Sequence, residues 1–326
     1  MEAYIVEEAA GNFRKIDLQL PAPRPNHVLV RTKASGVNPL DTKIRAGKAP
    51  HAKQPLPAVL GVDMAGIVEE VGPGVTAFSR GDEVYGMVGG VGGLQGSLAE
   101  FIAVDTDLIA HKPKNLSMRQ AAALPLVAIT AWEALVDRAC ICADQTVLIH
   151  AGAGGVGNVA VQLARAYNAN VFATVSPDKK NIPESYGAVP IDYRSSSVEE
   201  YVAKTTGGKG FDIVFDTVGG ATLDSSFVAV KRYTGRVVSC LGWGTHSLAP
   251  LSFRGATYSG VFTLLPLITG EGRAHHGEIL ACITALAEAG KLKPLLNDHA
   301  FSIEDIDTAH LLVESGALGK VVVELG

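Results

Sequence analysis

Cysteine is scarce in this chain. Four occur in 326 residues, Cys140, Cys142, Cys240 and Cys282, and none precedes position 140. A disulfide scaffold of this length would need more, so the count fits a reduced, cytoplasmic protein. No run rich in Lys and Arg is present, and the formal charge is −5. Nothing therefore marks a surface for nucleic acid or for an anionic membrane. Long apolar stretches are missing too: the longest, Ala121 to Ala131, is too short and too interrupted to span a bilayer. Met1 to Ala10 carries three Glu and lacks a basic start before an apolar core, which reads against a signal peptide. Charged residues make up only 19% against 47% hydrophobic, a balance that excludes a disordered chain.

Glycine, by contrast, is plentiful at 36 residues, which predicts many tight turns and close backbone approaches. The length exceeds one ordinary core and suits two domains. Two textures divide the chain. From Met1 to about Lys114 it is rich in Gly and Pro with short β-type runs. His27 to Lys33 alternates polar and apolar residues, as a half-buried strand does. Gly66 to Val71 runs into the turn Gly72-Pro73-Gly74, and Gly81 to Gly86 is a further short strand. Met118 to Ala139 reads as helical, with Pro125 as a break or a start. Apolar strands at Thr146–His150, Val171–Val175, Asp212–Phe215 and Arg236–Cys240 then alternate with helical spacing, which implies a parallel sheet with helices on both faces. After about Lys291 a β-type texture returns, and Lys320 to Leu325 is expected to fold back onto the first domain. The expected fold is α/β: a Rossmann doubly wound parallel sheet over 123–292, plus a mostly β unit from 1–122 and 293–326.

The turn Gly152-Ala153-Gly154-Gly155-Val156-Gly157 follows the strand Val147–His150 and opens a helix. A lone GxGxxG carries little weight, but a strand before it and a helix after it give each glycine a task. The first allows the tight turn, the second lets backbone approach a pyrophosphate, and the third lets helix and strand pack closely. The helix N-terminus offers N–H groups and a positive dipole end to phosphate. The next strand indicates which dinucleotide. An NAD site usually ends it with Asp or Glu on the ribose hydroxyls, whereas Val171–Val175 here ends in Ser176, followed by Asp178, Lys179 and Lys180. A neutral strand end with Lys180 in reach of a 2′-phosphate favours NADPH. Asp178 argues mildly against this, and a solvated helix start is the competing reading of the two lysines.

These segments resemble the medium-chain dehydrogenase/reductase superfamily, and within it the zinc-independent quinone oxidoreductase (zeta-crystallin-like) branch. The likeness is carried by Gly36-Val37-Asn38-Pro39-Leu40-Asp41, Leu60-Gly61-Val62-Asp63, Gly81-Asp82-Glu83-Val84-Tyr85-Gly86, Ala153-Gly154-Gly155-Val156-Gly157, Phe215-Asp216-Thr217-Val218-Gly219-Gly220, and Glu314-Ser315-Gly316 with Gly319-Lys320. It implies a GroES-like barrel for the first domain. Zinc-dependent members place Cys where this chain has Asn38, and Gly-His-Glu where it has Gly61-Val62-Asp63, so two catalytic zinc ligands and the four-cysteine zinc lobe are missing. Cys140-x-Cys142 cannot make a tetrahedral site alone and is expected to be a pair of buried structural thiols. His275-His276 is expected in a surface turn, with rings pointing apart.

The resemblance further implies that Asn38 and Lys43 line the nicotinamide cleft. Many relatives carry Tyr at the second position, so Lys43 departs from the pattern. It is either a proton donor or a solvated cation. Thr130 matches a position near the nicotinamide, Tyr193 one near the 2′-phosphate or adenine, and Thr217, Val218, Leu241, Gly242 and Trp243 strand ends that border the cofactor. Packing is the competing explanation for Trp243. The implied reaction is hydride transfer from NADPH to a small-molecule electron acceptor, a quinone or an α,β-unsaturated carbonyl compound, without zinc. Asn38 is the candidate donor to the carbonyl oxygen, with Lys43 or Tyr85 behind it. The alternatives are a 2-enoyl-thioester reductase, and an NADPH-binding structural or regulatory protein with little turnover. Thr257 to Phe262 is expected to pair across the axis of a homodimer.

Overall fold

A computed structural model describes all 326 residues, Met1–Gly326. The strands in chain order are β1 Glu2–Val6, β2 Arg14–Asp17, β3 His27–Val37, β4 Ala58–Val59, β5 Asp63–Val71, β6 Glu83–Met87, β7 Phe101–Asp105, β8 Ile109–His111, β9 Thr146–Ile149, β10 Asn170–Val175, β11 Val189–Asp192, β12 Ile213–Asp216, β13 Arg236–Ser239, β14 Thr257–Gly260, β15 Phe301–Ser302 and β16 Val321–Glu324. They build two compact units, Met1–Ile129 with Leu264–Gly326, and Thr130–Thr263.

The first unit is a mostly antiparallel, barrel-like body. Its seven-stranded sheet runs β15-β16-β3-β5-β6-β8 with β7 also on β3, beside a small sheet β2-β1-β4. The long β3 is its spine. Slips in its pairing with β5 at Leu29/Val30 and Thr32/Ala34 bend the sheet, as bulges do. The tail returns as the sequence predicts: β16 lies antiparallel to β3, Val321 opposite Val37 and Glu324 opposite Ala34.

The second unit is a six-stranded parallel sheet in the order β11-β10-β9-β12-β13-β14. The order reverses between β9 and β12, the switch point at which doubly wound folds bind ligands. β9 and β12 are covered on both faces, so Val147, Leu148, Ile149, Ile213, Val214 and Phe215 all lack solvent contact. That explains their unbroken apolar runs in the sequence.

Three local expectations are corrected. The second domain ends at Thr263, not at 292, and begins at Thr130. The reason is the helix Arg273–Glu288, whose Thr284 hydroxyl donates to the His111 carbonyl at 2.9 Å and whose Ala287 carbonyl accepts from Asn115 Nδ2 at 2.8 Å. His275 and His276 lie in that helix rather than in a turn. Their rings do point apart: His275 faces Glu278 at 3.2 Å, and His276 is buried. Cys140 and Cys142 are exposed, not buried, because the chain turns there, with Cys140 at φ +50°. Pro125 does begin a helix, Pro125–Trp132, after a shorter one at Met118–Ala122, and a π-helical turn at Glu133–Arg138 follows.

Candidate functional site

The glycine turn sits at the top of β9, pinned from both sides. His150 N–H donates to the Phe215 carbonyl at 2.9 Å, and Gly152 N–H to the Thr174 carbonyl at 3.0 Å. The left-handed residue of the turn is Ala151, φ +53°, not a glycine. Gly152 is required for a different reason from the tight turn expected: a Cβ there would lie 2.5 Å from the Cβ of Ala173 on β10. Gly157 behaves as predicted, since its Cβ would meet the Ala151 carbonyl oxygen at 2.1 Å as the helix Gly155–Ala166 presses on the strand end. Around Gly154 the only close atom is the Ala151 oxygen at 3.1 Å, so its outer side is open. Gly154 is the N-cap and provides no side-chain acceptor, and the first-turn N–H groups of Gly155, Val156 and Gly157 have no intrahelical partner. A pyrophosphate fits this cradle, and a side chain at Gly154 would fill it.

Beside the turn, at the carboxyl ends of β9, β10 and β12, lies a cavity of about 440 Å³, lined among others by His150, Thr174, Tyr193, Val198, Val218 and Thr222. Ser176 is nearly buried at the end of β10, with Lys179 and Lys180 in the turn after it. The Ser176 hydroxyl bonds Asp178 and holds that carboxyl below its usual range, with Lys179 and Arg194 adding attraction. The Arg194 guanidinium stands 5.8 Å over the Tyr193 ring. Arg194 escaped the sequence reading because it follows a matched motif residue without belonging to the motif.

Asp216 organises the opposite wall. It accepts from Val218 N–H at 3.1 Å, from Gly219 N–H at 3.0 Å and from the Ser239 hydroxyl at 2.7 Å. The Thr217 hydroxyl donates to the His150 carbonyl at 2.7 Å, which locks β12 to β9. Leu241 N–H donates to Ser239 Oγ at 3.0 Å, and Gly242 is needed because a Cβ there would come 2.2 Å from the Tyr258 hydroxyl. Trp243 is half exposed and meets Phe262 edge-on at 6.2 Å, so its ring is both packed and accessible. Thr130 is buried in the helix Pro125–Trp132.

In the first unit, Asn38 heads the helix Pro39–Arg45 within a buried polar cluster. Asp41 caps the turn, accepting from Asn38 N–H at 2.8 Å and Val62 N–H at 3.1 Å. Asn38 Nδ2 donates to Asp63 Oδ2 at 2.9 Å, and Leu126 N–H donates to Asp63 Oδ1 at 2.8 Å. Lys320, from the far end of the chain, donates to Asn38 Oδ1 and to Asp63 Oδ2, the latter at 3.3 Å. Burial raises the Asp63 carboxyl, with Lys320, Asn38 and the Leu126 amide pulling it back down. Burial also pushes Asp41 up to about 7. The pattern Asn-Pro-x-Asp announces the cap in sequence. No local signal announces Lys320.

Zinc does not fit this cluster. Asn38 and Val62 stand where ligands would be needed, a Lys ammonium already occupies Asp63, and no group of three His, Cys, Asp or Glu side chains comes together anywhere. Tyr85, read from the sequence as a possible donor behind Asn38, is corrected. It is fully buried, and its hydroxyl donates to the Leu280 carbonyl at 2.7 Å and lies 3.0 Å from Thr284 Oγ1. Burial raises the pKa of its hydroxyl, so it stays protonated and anchors the helix Arg273–Glu288. Lys43 is exposed on the helix Pro39–Arg45. His51, in the turn Pro50–Ala52, has its pKa lowered by burial and then by the nearby Lys43 charge.

Comparisons with known proteins agree with this geometry. Residues 24–114 match the alcohol dehydrogenase GroES-like domain family, and residues 187–323 the family described as zinc-binding dehydrogenase. The chain is 35% identical to the chloroplastic NADPH-dependent alkenal/one oxidoreductase of Arabidopsis thaliana, over 99% of this chain and 79% of that one. It is 32% identical to the quinone oxidoreductase of Sus scrofa, over 95% and 92% of the two chains. A solved alcohol dehydrogenase superfamily protein from Novosphingobium aromaticivorans superposes over the whole of both chains with a TM-score of 0.98 and 55% identity.

Proposed function

The chain belongs to the medium-chain dehydrogenase/reductase superfamily, in its zinc-independent quinone oxidoreductase branch, and on that premise we propose that it is an NADPH-dependent reductase of quinones or α,β-unsaturated carbonyl compounds. The observation that carries the cofactor choice is the end of β10, where Ser176 stands in place of an acidic strand-end residue and Lys179, Lys180 and Arg194 gather. One carboxylate, Asp178, bonds Ser176 there, and the three cations outnumber it in favour of a 2′-phosphate.

A bound reduced nicotinamide supplies the hydride. The protein's part is to hold, orient and polarise. The N–H groups of Gly155, Val156 and Gly157 take the pyrophosphate, and Gly152 and Gly154 keep its approach clear. Ser176, Lys180 and Arg194 take the 2′-phosphate, and Tyr193 and Val218 flank the adenine. Thr130, Thr217, Leu241, Gly242 and Trp243 shape the remainder of the site. Reduction leaves negative charge on the acceptor's carbonyl oxygen, which needs a donor. Asn38 keeps one amide hydrogen uncommitted, while Asp63 and Lys320 fix the plane of its amide. Lys43, exposed and beside His51, delivers the proton that completes the reduction.

The decisive test is reductant consumption by the purified protein with a panel of quinones, alkenals, enones and enoyl-thioesters. The expected result is turnover with quinones or enones and at least a roughly tenfold NADPH preference in kcat/KM, the size of one charge-assisted contact. Tight NADPH binding with no turnover on any acceptor would instead identify a binding protein. Lys43→Met is expected to lower kcat about 100-fold if it is the general acid. We also propose a cytoplasmic homodimer. Four unbridged cysteines support the compartment, and β14, at the end of its sheet, supports the pairing. Light scattering in solution tests the second point.

A further inference from the structure

His150 closes the top of β9 directly before the glycine turn, and its ring is almost wholly buried against the 440 Å³ cavity. Nδ1 lies 3.1 Å from the Thr174 hydroxyl oxygen. That oxygen already accepts the Ala151 N–H at 3.1 Å. A threonine hydroxyl has one proton to give, and Nδ1 is the acceptor in reach. The assignment that satisfies both groups makes Nδ1 the acceptor and leaves the ring proton on Nε2. Nε2 is buried and has no partner. Buried donors of this kind are rarely left unmatched in a native protein.

We propose that His150 is a cofactor-binding residue whose Nε2–H donates a hydrogen bond to an acceptor atom of the adenosine half of the dinucleotide. The inference rests on the dinucleotide reading above. Three features of the place support it. The cavity opens at the carboxyl ends of β9, β10 and β12, where a doubly wound fold receives the adenosine half. Its wall mixes apolar side chains, Val198 and Val218, with hydroxyls from Tyr193 and Thr222, which suits a purine riboside. His150 is also fixed in orientation: its carbonyl accepts from Thr217, its N–H is bound to Phe215, and its ring is held by Thr174. Burial pushes its pKa down to about 4, so at neutral pH the ring is uncharged and carries a single proton. Thr174 therefore sets which nitrogen presents that proton.

The probe is 2′,5′-ADP, the adenosine half alone, with its binding measured by calorimetry beside that of NADPH. His150→Asn keeps an acceptor for Thr174 at the Nδ1 position and removes the Nε2 donor. His150→Gln reaches the Nε2 position with an amide N–H. The expected result is a three- to tenfold weaker affinity of His150→Asn for both ligands, the range of about one neutral hydrogen bond, and recovery to near the wild-type value in His150→Gln. Melting of the ligand-free variants separates packing from binding. Equal affinities in the wild type and His150→Asn overturn the inference. So does an equal loss in Asn and Gln variants that melt early, which marks a packing role. Failure of the wild type to bind either ligand overturns the NADPH reading itself, and this inference with it.

Discussion

Replacing Lys320 by Met tests whether the cluster around Asn38 is held by charge. Asp63 has no solvent contact, and in the variant its carboxylate keeps only the N–H of Leu126 and the amide of Asn38. Removing one member of a buried pair costs about 3–5 kcal/mol, because the survivor stays buried without a counter-charge. For a domain of roughly 200 residues that lowers Tm by about 6–20 °C. The loss has a defined pH dependence. Burial already raises Asp63, and without Lys320 it rises further. A carboxyl whose folded pKa lies above its unfolded value stabilises below the unfolded pKa, and this contribution fades as pH rises through the folded pKa. The deficit of Lys320→Met relative to wild type should therefore be small near pH 5 and grow towards pH 8. Adding Asp63→Asn removes the orphaned charge, so the double variant should recover much of the loss, and the cycle should yield a coupling of 1–3 kcal/mol. Calorimetry or fluorescence-monitored melting across this pH range reads all of it. A Lys320→Met protein that melts within about 2 °C of wild type at every pH would refute the reasoning, since no desolvated pair would then exist.

The glycine turn separates folding from binding. Gly154→Ala should melt within about 2 °C of wild type, since its methyl meets only one oxygen at 3.1 Å, yet bind NADPH at least tenfold more weakly in a titration, because backbone approach to phosphate is blocked. Gly157→Ala, with a contact of 2.1 Å, should lose about 2–4 kcal/mol of stability as well. Ser176→Asp puts a carboxylate at the end of β10, and kcat/KM for NADPH should fall roughly 10- to 100-fold while that for NADH holds or rises; an unchanged ratio would sink the cofactor assignment. Tyr85→Phe should cost about 1 kcal/mol in melting through the lost bond to Leu280, with kcat unaltered. A large fall in kcat would restore Tyr85 as a proton donor.

What could be read in the sequence followed from short-range rules. β9, β10, β12 and β13 appear as apolar runs because strands covered on both faces carry nothing else. The helix after Gly154 is visible because its glycines have steric duties towards residues a few positions away. β16 was legible from its composition, although its partner β3 lies almost 300 positions earlier. The boundary at Thr263 was not. The helix Arg273–Glu288 has an ordinary helical sequence, and partners distant in the chain, Tyr85, Asp105, His111, Lys114 and Asn115, decide which unit receives it.

The candidate site divides along the same line, and the division has a physical cause. Gly152, Gly154, Gly157 and Ser176 are recognised by what they lack, a side chain or a charge, and a lack is visible in one dimension. Lys320, His150 and Tyr85 are defined by what they meet. Lys320 and Asn38 are 282 positions apart, and His150 acquires its tautomer from Thr174 on the next strand. Tyr85 matches a motif on the page and turns its hydroxyl to a helix 195 positions away. A motif fixes the residue type, and the partner fixes the proton. The chemistry of this protein therefore has to be argued from partners: Asn38 through Asp63 and Lys320, and His150 through Thr174.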